Sequence, residues 1–155
     1  LLSGLAVTSL AWNSNPSVAQ PTSSSCARPN HQNAEEIKQP ALPSPEAFIQ
    51  YAFEMRRLAM ESGDQPFGAI IVKENRVVGL GPSRVVIHTD PTAHAETEAI
   101  RDACCRLGTR DLSGCVIYST SKPCRMCETA CYWANLSRMY YSLNIVDAGA
   151  PTYSC

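Results

Sequence analysis

The chain has 155 residues, with 13 Lys+Arg, 14 Asp+Glu and a net charge of −1. That length fits one domain, and its 45% hydrophobic residues supply a real core, which excludes global disorder. Near-neutral charge disfavours a strongly basic nucleic-acid binder and an acidic tail protein. Eight cysteines then pose a choice between a disulfide framework and thiols that hold a metal.

Leu1–Trp12 is uncharged and apolar, too short to span a bilayer but matched to the apolar region of a secretion signal. Ser17-Val18-Ala19 has the small-x-small pattern of a cleavage site, with Gln20 as the expected new N-terminus. Residues 1–19 are therefore expected to be the remnant of a leader that starts after its basic residues, and the protein to be exported, periplasmic or secreted; without a leader it would be cytoplasmic. Residues 20–43 are rich in Pro, Ser, Gln and Asn and read as a flexible linker, with His31 solvated in it. The folded domain is expected over 44–155.

Ser44-Pro45-Glu46 predicts a helix start, with Ser as N-cap, Pro at the first helical position and an acid at the positive end. Phe48, Ala52, Met55 and Leu58/Ala59 recur on one face, and Gly63 ends the helix. Phe67–Lys73 and Arg76–Leu80 predict a hairpin turning at Glu74-Asn75. Residues 79–90 read as a loop. A second helix is expected from between Asp90 and His94 to Leu107, then a strand at 116–120, a helix from Pro123 to about Asn135, and a strand at 139–143. The tail after Asp147 reads as irregular. This α-β-β-α-β-α-β order predicts an α/β protein, a three-layer α/β/α sandwich with a mixed central sheet.

Two segments carry chemistry. Cys124 and Cys127 stand three apart at the start of a helix, where the helix dipole favours thiolate and both sulfurs share a face. A redox pair, half of a structural zinc site and two core cysteines are rival readings of this spacing alone. His94 supplies a neutral third ligand, which suits a catalytic Zn2+ with an open fourth position. Glu96 is then placed to carry protons beside a zinc-activated water. On a regular helix residues two apart diverge, so His94 must lie at an irregular first turn for both to reach one site. Taken singly, Glu96 reads equally as a first-turn acid and His94 as a satisfied polar residue.

The combination His94-Ala95-Glu96 with Pro123-Cys124-Arg125-Met126-Cys127 resembles the cytidine deaminase-like superfamily of zinc deaminases. Gln65-Pro66-Phe67-Gly68-Ala69, Asp90 to Glu96, Ala99-Ile100-Arg101 and Tyr132-Trp133-Ala134 are most similar to its purine branch of guanine and tRNA adenosine deaminases. The resemblance covers about Ser44 to Tyr141. It implies zinc on His94, Cys124 and Cys127, proton shuttling by Glu96, and a homodimer. It implies hydrolytic deamination of a small purine base or nucleoside, guanine to xanthine first. Phe67, Ser83, Ala95 and Trp133 are the candidate substrate contacts, and the backbone N–H of Cys124 or Cys127 a candidate donor to the tetrahedral centre. His88, in the loop before, reads as a surface residue.

The chain departs from the family pattern at Lys122, where Glu is common, at Ser83, where Asn is common, and in a short C-terminal stub, which implies a more open site or closure by a partner subunit. A deaminase of tRNA or single-stranded DNA is the alternative. Nucleic acid is disfavoured, because from Ser44 onward 11 basic residues face 12 acidic ones. A non-catalytic secreted protein with structural zinc or disulfides is the reading of another class. The remaining cysteines read as packing thiols, Cys131 beneath the metal among them. Cys26 and Cys155 are bridge candidates if the chain is exported.

Overall fold

A computed structural model describes residues 36–153. The expected leader, most of the linker with His31, and Cys26 and Cys155 lie outside the described residues. Helix α1 (Pro45–Glu61) starts as its sequence dictates: the Ser44 Oγ accepts from the Ala47 N–H at 3.1 Å, with Pro45 inside the first turn. Its buried face is Phe48, Ile49, Ala52, Met55 and Ala59. Strands β1 (Gly68–Lys73) and β2 (Arg76–Pro82) form the expected hairpin, and Glu74 and Asn75 both take positive φ, as a tight two-residue hairpin turn requires. Then follow α2 (Ala95–Leu107), β3 (Cys115–Ser119), α3 (Arg125–Trp133), β4 (Arg138–Tyr141) and β5 (Val146–Gly149).

The sheet order is β2-β1-β3-β4-β5. The β3–β4 pair, joined through α3, is parallel; the other pairs are antiparallel. This is the mixed α/β sheet the sequence predicts. Alternation on β1 divides the core. Ile70 and Val72 meet the Phe48, Ile49 and Met55 face of α1, whereas Ala69 and Ile71 pack with Ala95, Ala99 and Ala103 of α2 and Cys131 of α3. The helices thus cover both faces.

Three differences from the sequence reading have local causes. The tail is not irregular at 146–149: it adds β5 antiparallel to β4, with Arg138 Nε 2.9 Å from Asp147 Oδ2 across the pair. Residues 37 and 39, grouped with the linker by composition, are fixed on the body. Ile37 is buried against α1, and the Gln39 amide accepts from Val77 N–H at 2.8 Å and donates to Val77 O at 2.9 Å, covering part of the β2 edge. Third, β2 continues through Gly79–Pro82, which reads as a loop. The glycines there serve close packing: a Cβ on Gly81 would lie 2.1 Å from Ala95 O and 2.5 Å from Ala99 N, and one on Gly79 2.6 Å from Ala99 O. Ala95, Ala99 and Ala103 line the facing stripe of α2. Gly81→Ala is accordingly expected to cost about 3 kcal/mol of folding stability by overpacking, read from the denaturant midpoint. It should also weaken metal retention, because Ala95 separates His94 from Glu96.

Cys105 is disulfide-bonded, and Cys104, Cys115, Cys124, Cys127 and Cys131 are free thiols. Among the described residues, no helix is long and apolar enough to cross a membrane.

Candidate metal centre and active site

Strand β3 ends where α2 and α3 begin, so two helix N-termini meet at one end of the sheet. His94 is the N-cap of α2 at φ −64°, ψ 156°, and Cys124 the N-cap of α3 at φ −71°, ψ 169°. Both backbones are extended there, and neither side chain is spent on capping its helix. This is the irregular first turn that the His94/Glu96 spacing demands. Thr97 Oγ1 donates to Thr92 O at 2.5 Å and to His94 O at 2.9 Å, holding the approach to the cap.

His94 Nδ1 lies 3.7 Å from Cys124 Sγ and 3.6 Å from Cys127 Sγ, and the two sulfurs are 3.6 Å apart. A tetrahedral zinc with sulfur at about 2.3 Å and nitrogen at about 2.0–2.1 Å requires S···S of about 3.8 Å and S···N of about 3.6 Å. The three donors therefore already stand near three corners of such a tetrahedron, and the set of two soft sulfurs and one imidazole suits that ion. Burial pushes the Cys127 thiol well above its ordinary pKa, and the neighbouring Glu96 carboxylate and Cys124 add to it. Without a cation this position disfavours the thiolate that the ligand role needs.

Cys127 is fully buried, His94 partly so, and Cys124 is exposed, so the cluster is open on the Cys124 side. Glu96 is only 5% exposed, and its Oε1 accepts from the Ser119 hydroxyl at 2.9 Å. Ser119 was not legible as a site residue. Its one signal is a hydroxyl at the last position of a buried strand, two residues beyond Ile117 and therefore on the same face. The deeper Cys131 stays in the core between α3 and the sheet, where burial raises its thiol pKa to about 12.

The metal-binding region of a known family matches residues 43–143, under the description "Cytidine and deoxycytidylate deaminase zinc-binding region". The chain belongs to this zinc deaminase family. Guanine deaminase of Bacillus subtilis is 39% identical over 104 residues, covering 66% of this chain and 67% of that protein. Its X-ray structure superposes with a TM-score of 0.61 at 40% identity, over 63% of this chain and 62% of that one. A tRNA-specific adenosine deaminase of Aquifex aeolicus is 41% identical over 97 residues, 63% of this chain and 64% of that protein. The crystal structure of NE0047 in complex with 2,6-diaminopurine has a TM-score of 0.62 at 29% identity, over 66% of this chain and 58% of that one. The chain thus spans about two thirds or less of the length of these relatives.

Four of the candidate residues of this deaminase-family domain, His94, Glu96, Cys124 and Cys127, come together at this centre. Ala95 is buried beneath Gly81. Phe67 is 41% exposed at the start of β1, where its carbonyl accepts from Ser83 N–H at 3.1 Å. Ser83 has no exposed surface, and its hydroxyl donates to Asp64 Oδ1 at 2.9 Å, so it offers no atom to a solute in this arrangement. Trp133 ends α3 six residues beyond Cys127, about 9 Å along the helix axis. There it is 67% exposed, edge-on to Tyr132 and beside Tyr153.

Proposed function

We propose that the protein hydrolyses the exocyclic amine of a free purine base or nucleoside, guanine first, giving the oxo product and ammonia. The observation that carries this reading is the buried Glu96 carboxylate standing beside a three-donor centre that is open on one side. A purely structural zinc has no use for that carboxylate. Zinc held by His94, Cys124 and Cys127 supplies Lewis acidity that makes water acidic enough to lose a proton near pH 7. Glu96 takes that proton and passes it first to a ring nitrogen and then to the departing amine. The water oxygen bonds to the amine-bearing ring carbon, the C–N bond breaks, and ammonia leaves. Ser119 keeps the Glu96 carboxylate aimed by donating to Oε1. A backbone N–H at the start of α3, of Cys124 or Cys127, donates to the oxyanion of the tetrahedral centre in this reading.

The purine choice is supported by the guanine deaminase relatives and by NE0047, which binds 2,6-diaminopurine. A tRNA adenosine deaminase is similar at nearly the same identity, so the polynucleotide reading stands as the second one. Against it is the balance of 11 basic and 12 acidic residues from Ser44 onward, which gives no net basic excess for a polynucleotide backbone. Ammonia release from guanine, adenine, cytosine, their nucleosides and a tRNA stem-loop decides between them. Turnover of guanine is the expected result; activity on the stem-loop alone would overturn the choice of substrate class.

A further inference from the structure

Asp64 follows α1 and is nearly buried, yet it lies outside the metal centre. Its carboxylate is saturated. Oδ1 accepts from Gln65 N–H at 2.7 Å and Ser83 Oγ–H at 2.9 Å; Oδ2 accepts from Val86 N–H and Ile87 N–H, each at 2.9 Å. Burial alone would raise its pKa, but the bonds from Ile87, Gln65, Ser83 and Val86 outweigh that and leave the carboxyl below its ordinary value.

Three of these four bonds go to residues 83–87, the segment between β2 and His94. That segment is also tied internally and to the metal arm. Arg84 N–H donates to Ala93 O at 3.0 Å, His88 N–H to Arg84 O at 2.9 Å, and Asp90 N–H to Val85 O at 3.1 Å. Arg84 Nη1 donates to Ser62 Oγ at 2.7 Å, a second tether to the end of α1. Its place relative to the site follows from strand pairing. Ser83 bonds to Phe67; Gly68, the next residue, donates to Thr120 Oγ1 at 3.2 Å; and Ser119, before Thr120, holds Glu96. The loop therefore leaves the sheet at the catalytic end and returns as His94.

At the loop tip Val86 is 58% and Ile87 44% exposed, in the segment whose first residue, Ser83, is bonded to Phe67. Two largely exposed aliphatic side chains stand in succession here, and their own N–H groups are the ones Asp64 grips.

We infer that Asp64 is a positioning residue that clamps the 83–90 loop at the mouth of the metal centre, so that Val86 and Ile87 stand as an apolar wall for the bound base. This rests on the base-deaminase reading above. The wall takes a planar, uncharged heterocycle, and its contact is with bound substrate rather than with the reacting bond. Its loss therefore falls on KM and leaves the chemical step intact.

Asp64→Asn tests the clamp, because an amide nitrogen cannot accept the N–H groups that the lost oxygen held. In the zinc-loaded enzyme the expected result is KM for the base raised about 10-fold, with kcat and zinc content at wild-type levels. Hydrogen exchange at Val86 and Ile87 should quicken about 10-fold or more. Ser83→Ala, which removes a single bond, should show the same changes in smaller measure and covers the case in which Asp64→Asn fails to fold. Val86→Ser with Ile87→Ser should reproduce the KM effect. Unchanged exchange and KM in Asp64→Asn would overturn the clamp, as would a loss of zinc with kcat. An unchanged KM in the Val86/Ile87 double variant would overturn the wall. If wild type deaminates no base, the substrate reading falls with the wall, while the exchange rates still decide the clamp without any turnover.

Discussion

Glu96→Gln is expected to retain zinc at one ion per chain and to lose turnover by roughly 10²–10⁴-fold, the span of a positioned general acid–base. The substitution is nearly isosteric. Its carbonyl oxygen can still accept from the Ser119 hydroxyl, so packing around the buried side chain is kept. What it removes is the capacity to carry a proton from water to the ring and on to the amine. Glu96 is not among the three donors that stand at mutual distances of 3.6 to 3.7 Å, so the metal count should not change. Zinc content by elemental analysis and ammonia release, measured on the same preparation, separate the two effects. Wild-type turnover in this variant would sink the mechanism. Loss of zinc together with activity would make Glu96 a part of the metal's support instead.

Replacing Cys127 by Ala is expected to abolish zinc binding and activity together, because it removes the ligand that anchors the centre in the core. Cys127 is fully buried with its thiol raised by burial and by Glu96, whereas Cys124 is exposed. The inner ligand is thus the one that the fold cannot rehydrate. Removing zinc from the wild-type protein with a chelator should give the same loss of activity, reversed when zinc is restored. It should also lower stability: if free zinc stands at about 1,000 times Kd, its withdrawal removes about 4 kcal/mol. Thermal unfolding with and without chelator measures this. A Cys127→Ala protein that keeps one zinc per chain would show that the three residues are not the binding set.

Most of what positions the centre is written locally. Ser44-Pro45-Glu46 starts α1 through contacts within four residues, and Gly108, at φ 64°, stops α2 where the sequence puts the stop. The need for His94 to lie outside the regular helix follows from the two-residue step to Glu96, and its extended N-cap backbone meets it. What was not legible depends on distant partners. Gly79 and Gly81 look like loop residues until α2 is laid against them, because the atoms that exclude a Cβ belong to Ala95, Ala99 and Ala103, 14 to 24 residues on. Strand β5 has four residues and no apolar alternation of its own; only β4 gives it a register. Ser83 reads as a candidate substrate contact in sequence because its acceptor, Asp64, lies 19 residues earlier. The eight cysteines divide in the same way: spacing points to Cys124 and Cys127, whereas Cys115 and Cys131 are told from ligands only by their place in the core.

Where Gly79 and Gly81 of β2 meet α2, the seam holds only hydrogens, backbone atoms and the methyl groups of Ala99 and Ala103. At those two contacts there are no rotamers to rearrange, so an added atom there must move backbone. The helix that begins at His94 is therefore seated at a depth fixed by backbone against backbone. Redesign of substrate preference is best directed at the 84–90 loop, where side chains have room to change. Along the seam, even one added methyl shifts the metal arm and the proton carrier as a unit.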